Sequence, residues 1–211
     1  MNGYMKPQDI EKRSFEIITA ELGERTFPAG IAEVVKRVIH TTADFDYADS
    51  LAFSPDVIEK AKAALAAGAT VVTDTNMALS GVSKVTLAKL GGKAVCLMAD
   101  EQVASEAKAR GVTRAVVSME HAAKFEGPLL FAIGNAPTAL IRLHELIEEG
   151  IVAPALVIGV PVGFVNVVEA KELFIGGDTP YIIARGRKGG SNVAASIVNA
   201  LLYQMVHREG F

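Results

Sequence analysis

Short runs of apolar and β-branched residues alternate along the chain with longer segments whose apolar positions recur every three or four residues. The runs fall at 71–73, 94–97, 115–117, 129–133, 155–158 and 181–184. Each is continuously apolar rather than alternating, which predicts strands covered by helices on both faces, as in a parallel sheet. The segments between them carry helix signals. Ser54-Pro55-Asp56 opens one that Gly68 closes. Asn135-Ala136-Pro137-Thr138 opens another, with Leu140, Leu143, His144 and Ile147 at helical spacing and Gly150 at its end. Gly189-Gly190-Ser191 leads into a last helix striped by Val193, Ile197, Ala200 and Leu201. Two further helices, over 8–22 and 30–41, precede the first strand.

Alternating β and α elements predict right-handed crossovers and a doubly wound, mostly parallel sheet in a three-layer α/β sandwich. Residues 1–211 read as a single such domain. In this architecture a ligand lies beyond the carboxyl ends of the strands. The loops there are Asp74-Thr75-Asn76-Met77, Gly134-Asn135-Ala136-Pro137-Thr138, Gly159-Val160-Pro161-Val162-Gly163-Phe164 and Arg185-Gly186-Arg187-Lys188-Gly189-Gly190-Ser191. All are rich in residues suited to sharp turns or close backbone approach.

Composition narrows the function. With 21 Lys and Arg against 24 Asp and Glu, the net charge is −3, which argues against a broad nucleic-acid footprint. One cysteine, Cys96, excludes an internal disulfide and a cysteine zinc site; its apolar run reads as the setting of a buried structural thiol. The four histidines are far apart, and neither HExxH nor Gly-x-Ser-x-Gly occurs, so no metal site and no serine hydrolase is expected. Residues 1–7 lack the apolar core of a signal peptide, and no apolar stretch exceeds about ten residues, so a cytoplasmic protein without membrane contact is expected.

Two features carry candidate chemistry. Gly186-Arg187-Lys188-Gly189-Gly190-Ser191 places glycines and a serine at a helix start beside Arg185, Arg187 and Lys188, the composition of an anion cradle, or of a tight loop with solvated cations. His40 follows an apolar run near a helix end, with hydroxyls and carboxylates behind it. It reads as a general acid or base, or as a histidine held by the helix dipole. His121, His144 and His207 read as surface residues. Arg13-Ser14, and Arg114 at the start of the 115–117 run, are polar groups beside apolar ones.

The chain resembles the precorrin-8 methylmutase family along nearly its whole length. The resemblance rests on Glu11-Lys12-Arg13-Ser14-Phe15-Glu16-Ile17-Ile18, Arg37-Val38-Ile39-His40, Ala132-Ile133-Gly134-Asn135-Ala136-Pro137-Thr138-Ala139-Leu140, Gly159-Val160-Pro161-Val162-Gly163-Phe164-Val165 and Arg185-Gly186-Arg187-Lys188-Gly189-Gly190-Ser191. It implies a flavodoxin-like fold, a homodimer with the substrate cleft near the subunit interface, and an isomerase moving a methyl group from C11 to C12 of a corrinoid tetrapyrrole polycarboxylate. The family's histidine falls on His40, as general acid. Its serine and arginine fall on Ser14 and Arg13, and a further arginine on Arg114. Thr41, Asn76, Asn135, Gly163, Arg185, Arg187, Gly189, Gly190 and Ser191 complete the expected substrate contacts. Residues 40–47 look like the cobalt-dependent branch, which implies cobalt-precorrin-8 as substrate and cobyrinate as product. The cobalt would arrive inside the substrate, with no cofactor of the protein's own. The alternatives are the metal-free precorrin-8X reaction giving hydrogenobyrinate, and a corrinoid-binding module without catalysis.

Overall fold

A computed structural model describes residues 7–206; the start of the chain at 1–6 and His207, both assigned above, lie outside the described residues. Helices α1 (Pro7–Leu22), α2 (Ile31–Thr42) and the single turn α3 (Tyr47–Ser50) precede strand β1 (Leu51–Phe53) and helix α4 (Val57–Ala66). Strand β2 (Thr70–Thr73) is followed by α5 (Asn76–Gly81) and α6 (Lys84–Lys89), and β3 (Lys93–Cys96) by α7 (Glu101–Arg110) and α8 (Arg114–Ala122). Then come β4 (Leu129–Ile133), α9 (Pro137–Glu148), β5 (Leu156–Gly159), α10 (Val167–Glu172), β6 (Tyr181–Ala184) and α11 (Ser191–Tyr203).

The six strands form one sheet in the order β1-β6-β5-β4-β2-β3. All neighbours pair in parallel except β1, which runs antiparallel to β6 with Leu51 opposite Ala184. The five parallel strands alone follow the flavodoxin-like order 2-1-3-4-5. Successive residues of a strand point to opposite faces, and the core divides accordingly. Val71, Leu130, Ala132, Ile158 and Ile182 meet α2, α4 and α11, whereas Val72, Phe131, Ile133, Val157 and Ile183 meet α8 and α9. Both faces are buried, so strands β2, β4, β5 and β6 show no exposed position.

Three local expectations need correction. The run at 115–117 is helical: Thr113 Oγ1 accepts the Val116 N–H at 3.4 Å as an N-cap, and Ala115, Met119 and Ala122 bury one face of α8. Arg114 therefore opens a helix rather than a strand. Strand β1 has only three residues, too short to stand out as a pattern. Cys96 is half-buried, because β3 is the sheet's edge strand and helices do not cover it fully.

Candidate active site

The topological switch point lies between β2 and β4, and a carboxylate occupies it. Asp74 follows β2 directly and is fully buried. Its Oδ1 accepts the Gly134 N–H at 2.9 Å, and its Oδ2 accepts the N–H groups of Asn135 and Ala136, both at 2.7 Å. Burial pushes the carboxyl above its ordinary value, against the opposing pull of those N–H bonds. The N–H groups of Asn135 and Ala136, just before α9, are thus taken up by Asp74, and Pro137 at the helix start has none to offer. The Asn135 side chain stays exposed above this clamp.

The β6 loop is packed against its neighbours without room for side chains. A Cβ on Gly134 would stand 2.7 Å from Ser191 Cα, and one on Gly189 would collide with the Val160 carbonyl. Gly190 donates its N–H to Val160 O at 2.9 Å, and Gly163 donates its own to Arg187 O at 3.2 Å. Ser191 Oγ lies 2.8 Å from Thr75 Oγ1, the residue that caps α5 by accepting from the Ala78 N–H. Loops after β2, β4, β5 and β6 thus meet along one rim, with Asn76 exposed beside Thr75.

Cations at this rim have distinct settings. Arg187 stacks over the Phe164 ring at 5.5 Å. Arg185 lies 3.8 Å from Glu172 and donates its backbone N–H to Ser50 O. Lys188, expected among the anion ligands, is committed instead to Asp44 and Asp46, each at 2.6 Å. The Asp44 carboxyl is held below its usual range by that lysine, and Lys188 is raised in turn. Around the same loops Met77, Phe164 and Val165 are each more than 70% exposed, leaving an apolar shelf beside the arginines.

Lys188 joins this rim to the segment that carries His40. Ala43 adopts a left-handed conformation (φ 53°) that ends α2, and Asp44 and Asp46 follow within the next turn. His40 is exposed in the last turn of α2, stacked on Phe15 of α1 with ring centroids 5.2 Å apart. Arg37, one turn earlier, pairs with Glu11 and lies over both Phe15 (4.7 Å) and Tyr203 (5.2 Å), fixing α1 to α2 and α11. Thr41 donates to Arg37 O and lines a cleft of about 270 Å³ with Asn192 and Asn199.

The remaining expected contacts sit further out. Arg13 pairs with Glu16 at 3.0 Å and Ser14 Oγ donates to Ile10 O at 2.9 Å, so both are engaged on α1 beside Phe15. Among the described residues no hydrogen bond or ion pair joins them to the strand-end loops. Arg114 reaches Met98 O at 3.4 Å, and its neighbour Thr113 lies 3.2 Å from Thr138 Oγ1, which brings α8 to the edge of the β4 loop. His121 pairs with Glu106 at 2.8 Å, and His144 meets Phe174 edge-on, so both are half-buried rather than surface residues. Among the described residues no three His, Cys, Asp or Glu side chains converge as metal ligands, and no helix is long and apolar enough to cross a membrane.

Sequence reasoning overlooked Asp74 and Lys171. Asp74 carried a signal, an acid placed directly after a buried strand. Lys171 carried one too: it shares a helix face with Val167, Ala170 and Phe174, all buried.

Comparison with known proteins places this arrangement. The precorrin-8X methylmutase family matches residues 9–204. The chain is 46% identical to a cobalt-precorrin-8 methylmutase of Salmonella typhimurium over 97% of its own length and 99% of that protein's. It is 45% identical to one from Priestia megaterium, over 93% and 88%. The fold superposes on the crystal structure of a precorrin-8X methylmutase from Thermus thermophilus with a TM-score of 0.86 and 39% identity, covering 92% of this chain and 94% of that one. A doubly wound sheet, a glycine-lined rim and these matches lead to one conclusion: the chain belongs to the precorrin-8X methylmutase family.

Proposed function

We propose that this protein is a cobalt-precorrin-8 methylmutase, an isomerase of cobalamin biosynthesis that moves a methyl group from C11 to C12 of the macrocycle to give cobyrinate. The observation that carries the reading is the coupling of His40 to the cationic rim. An exposed imidazole, an apolar shelf and an arginine loop lie on segments tied together by Lys188, Asp44 and Asp46. A sigmatropic methyl shift leaves the composition of the ring unchanged. What it asks of a protein is a macrocycle held still and a proton placed where charge develops, which His40 supplies as general acid. The acetate and propionate arms of the ring call for Arg187, Arg185 and the amide groups of the β6 loop. Phe164, Val165 and Met77 offer the ring an apolar surface.

Cobalt enters inside the substrate, and the protein brings no cofactor. The cobalt branch is favoured by the match at residues 40–47 and by the identity to the two cobalt-precorrin-8 methylmutases above. The working form is a cytoplasmic homodimer: the rim is open on one protomer, and a second copy is suited to cover a macrocycle of this size.

An absorbance time course with cobalt-precorrin-8, run in parallel with metal-free precorrin-8X, tests the reading. Progressive conversion of many equivalents establishes the isomerase, and the faster substrate identifies the branch. A single stoichiometric shift leaves a binding protein, and no change with either substrate overturns the assignment. Sedimentation equilibrium at micromolar concentration reads the dimer.

A further inference from the structure

Lys171 is a fully buried ammonium that the methyl shift does not use. Its Nζ donates to Gly186 O and Lys188 O, each at 2.8 Å. The Gly163 N–H takes the carbonyl between them, Arg187 O. Three successive carbonyls of the β6 loop are therefore each taken by a donor of the protein. Every described peptide bond here is trans, and in a trans unit the N–H points opposite to the carbonyl. The N–H groups of Arg187 and Gly189 consequently face away from Lys171, and that of Lys188 faces away from Gly163. Among the described residues no acceptor meets any of the three.

The β4 loop is arranged the other way round. There a buried anion, Asp74, gathers three successive N–H groups inward. One loop has spent its donors on the protein, and the other has spent its acceptors and kept its donors. Successive outward amides form a concavity suited to an anion, and Arg187 stands at its edge. Burial lowers the Lys171 ammonium to about 8, so at neutral pH it also sets a positive charge behind those amides.

We propose that Lys171 is a positioning residue, which holds the 186–189 loop with its amide N–H groups outward as the receptor for one carboxylate arm of the substrate. Lys171 itself touches no ligand. The identity of that arm's parent rests on the methylmutase reading.

The test is a titration of ¹⁵N-labelled protein with cobyrinate, joined to kinetics of Lys171→Met. In the wild type, the amide signals of Arg187, Lys188 and Gly189 shift on saturation. In Lys171→Met, folded as judged by circular dichroism, those shifts vanish and KM rises about tenfold while kcat stays within about twofold. A merely structural lysine would lower both parameters or the folded fraction, without this split. Cobyrinate binding that leaves the three wild-type amides unmoved overturns the proposal, whether or not the variant folds. So does a folded Lys171→Met that keeps the wild-type shifts and KM. A wild type that neither binds cobyrinate nor converts cobalt-precorrin-8 instead removes the methylmutase reading, and the carboxylate assignment with it.

Discussion

Lys188 Nζ stands 2.6 Å from Asp44 Oδ2, although 144 residues separate them in the chain. The pair joins the β6 loop to the turn that ends α2, and hence the cationic rim to the segment that carries His40. Lys188 is exposed and Asp44 only half-buried, so the contact adds little to global stability. Its effect is expected on geometry. Lys188→Met should lower kcat about tenfold, since small misplacements of a proton donor are costly, while differential scanning calorimetry finds Tm almost unchanged. A large fall in Tm with normal kcat would show that the contact serves the fold instead.

His40→Ala is expected to reduce kcat by about 10²–10⁴-fold, the usual contribution of a general acid. Because His40 lies on α2, stacked on Phe15, rather than within the arginine loop, the affinity for cobyrinate should change little. Single-turnover absorbance kinetics and equilibrium titration separate the two. Turnover at the wild-type rate would remove His40 from the mechanism.

Arg187→Ala is expected to weaken cobyrinate binding about tenfold at low ionic strength, where a charge-assisted contact is least screened. Salt should imitate the substitution in the wild type and affect the variant less. Affinities that ignore salt in both proteins would speak against a cation-lined rim.

Asp74→Asn replaces two acceptor oxygens by one and turns an amide NH₂ toward converging N–H donors. Breaking such a buried arrangement costs about 3 kcal/mol, which for a chain of this length lowers Tm by about 6–12 °C. Calorimetry decides it. A drop of only about 2 °C would mean that the β2 and β4 loops are held together by packing alone.

Stability should depend on pH through Lys171. Its folded value is lowered to about 8 from 10.5, and burial is the cause. Between those two values the unfolded chain binds more protons than the folded one, so this group makes stability rise with pH across that window. The full change is about 3 kcal/mol. Urea denaturation at pH 7.5 and 10 should show the wild type gaining on Lys171→Met by part of that amount. An unchanged difference between the two proteins would place the lysine's titration elsewhere.

The parallel strands were legible because burial on both faces leaves an unbroken apolar run, as at Leu129–Ile133 and Tyr181–Ala184. The run at 115–117 misled because two adjacent valines mimic a strand; the helix was written in Thr113 and in the spacing of Ala115, Met119 and Ala122. At the site, glycines and arginines announced the rim, since close backbone approach and anion chemistry each demand particular residue types. The partners of Lys188 could not be read, because Asp44 and Asp46 meet it only through the long-range order of the sheet. The same holds for Asp74 and Lys171: sequence shows the residue type, whereas which loop it holds, and by which backbone atoms, depends on tertiary placement.

The clamp at the switch point also changes what this fold can host. In flavodoxin-like proteins that crevice receives a flavin phosphate. Here a phosphate arriving between β2 and β4 would meet a carboxylate whose surrounding amides are already taken. A mononucleotide has no berth, and flavin mononucleotide should leave the protein colourless after gel filtration. The crevice at the switch point is thus an internal strut, and what remains open to a ligand is the exposed rim of loops beyond it.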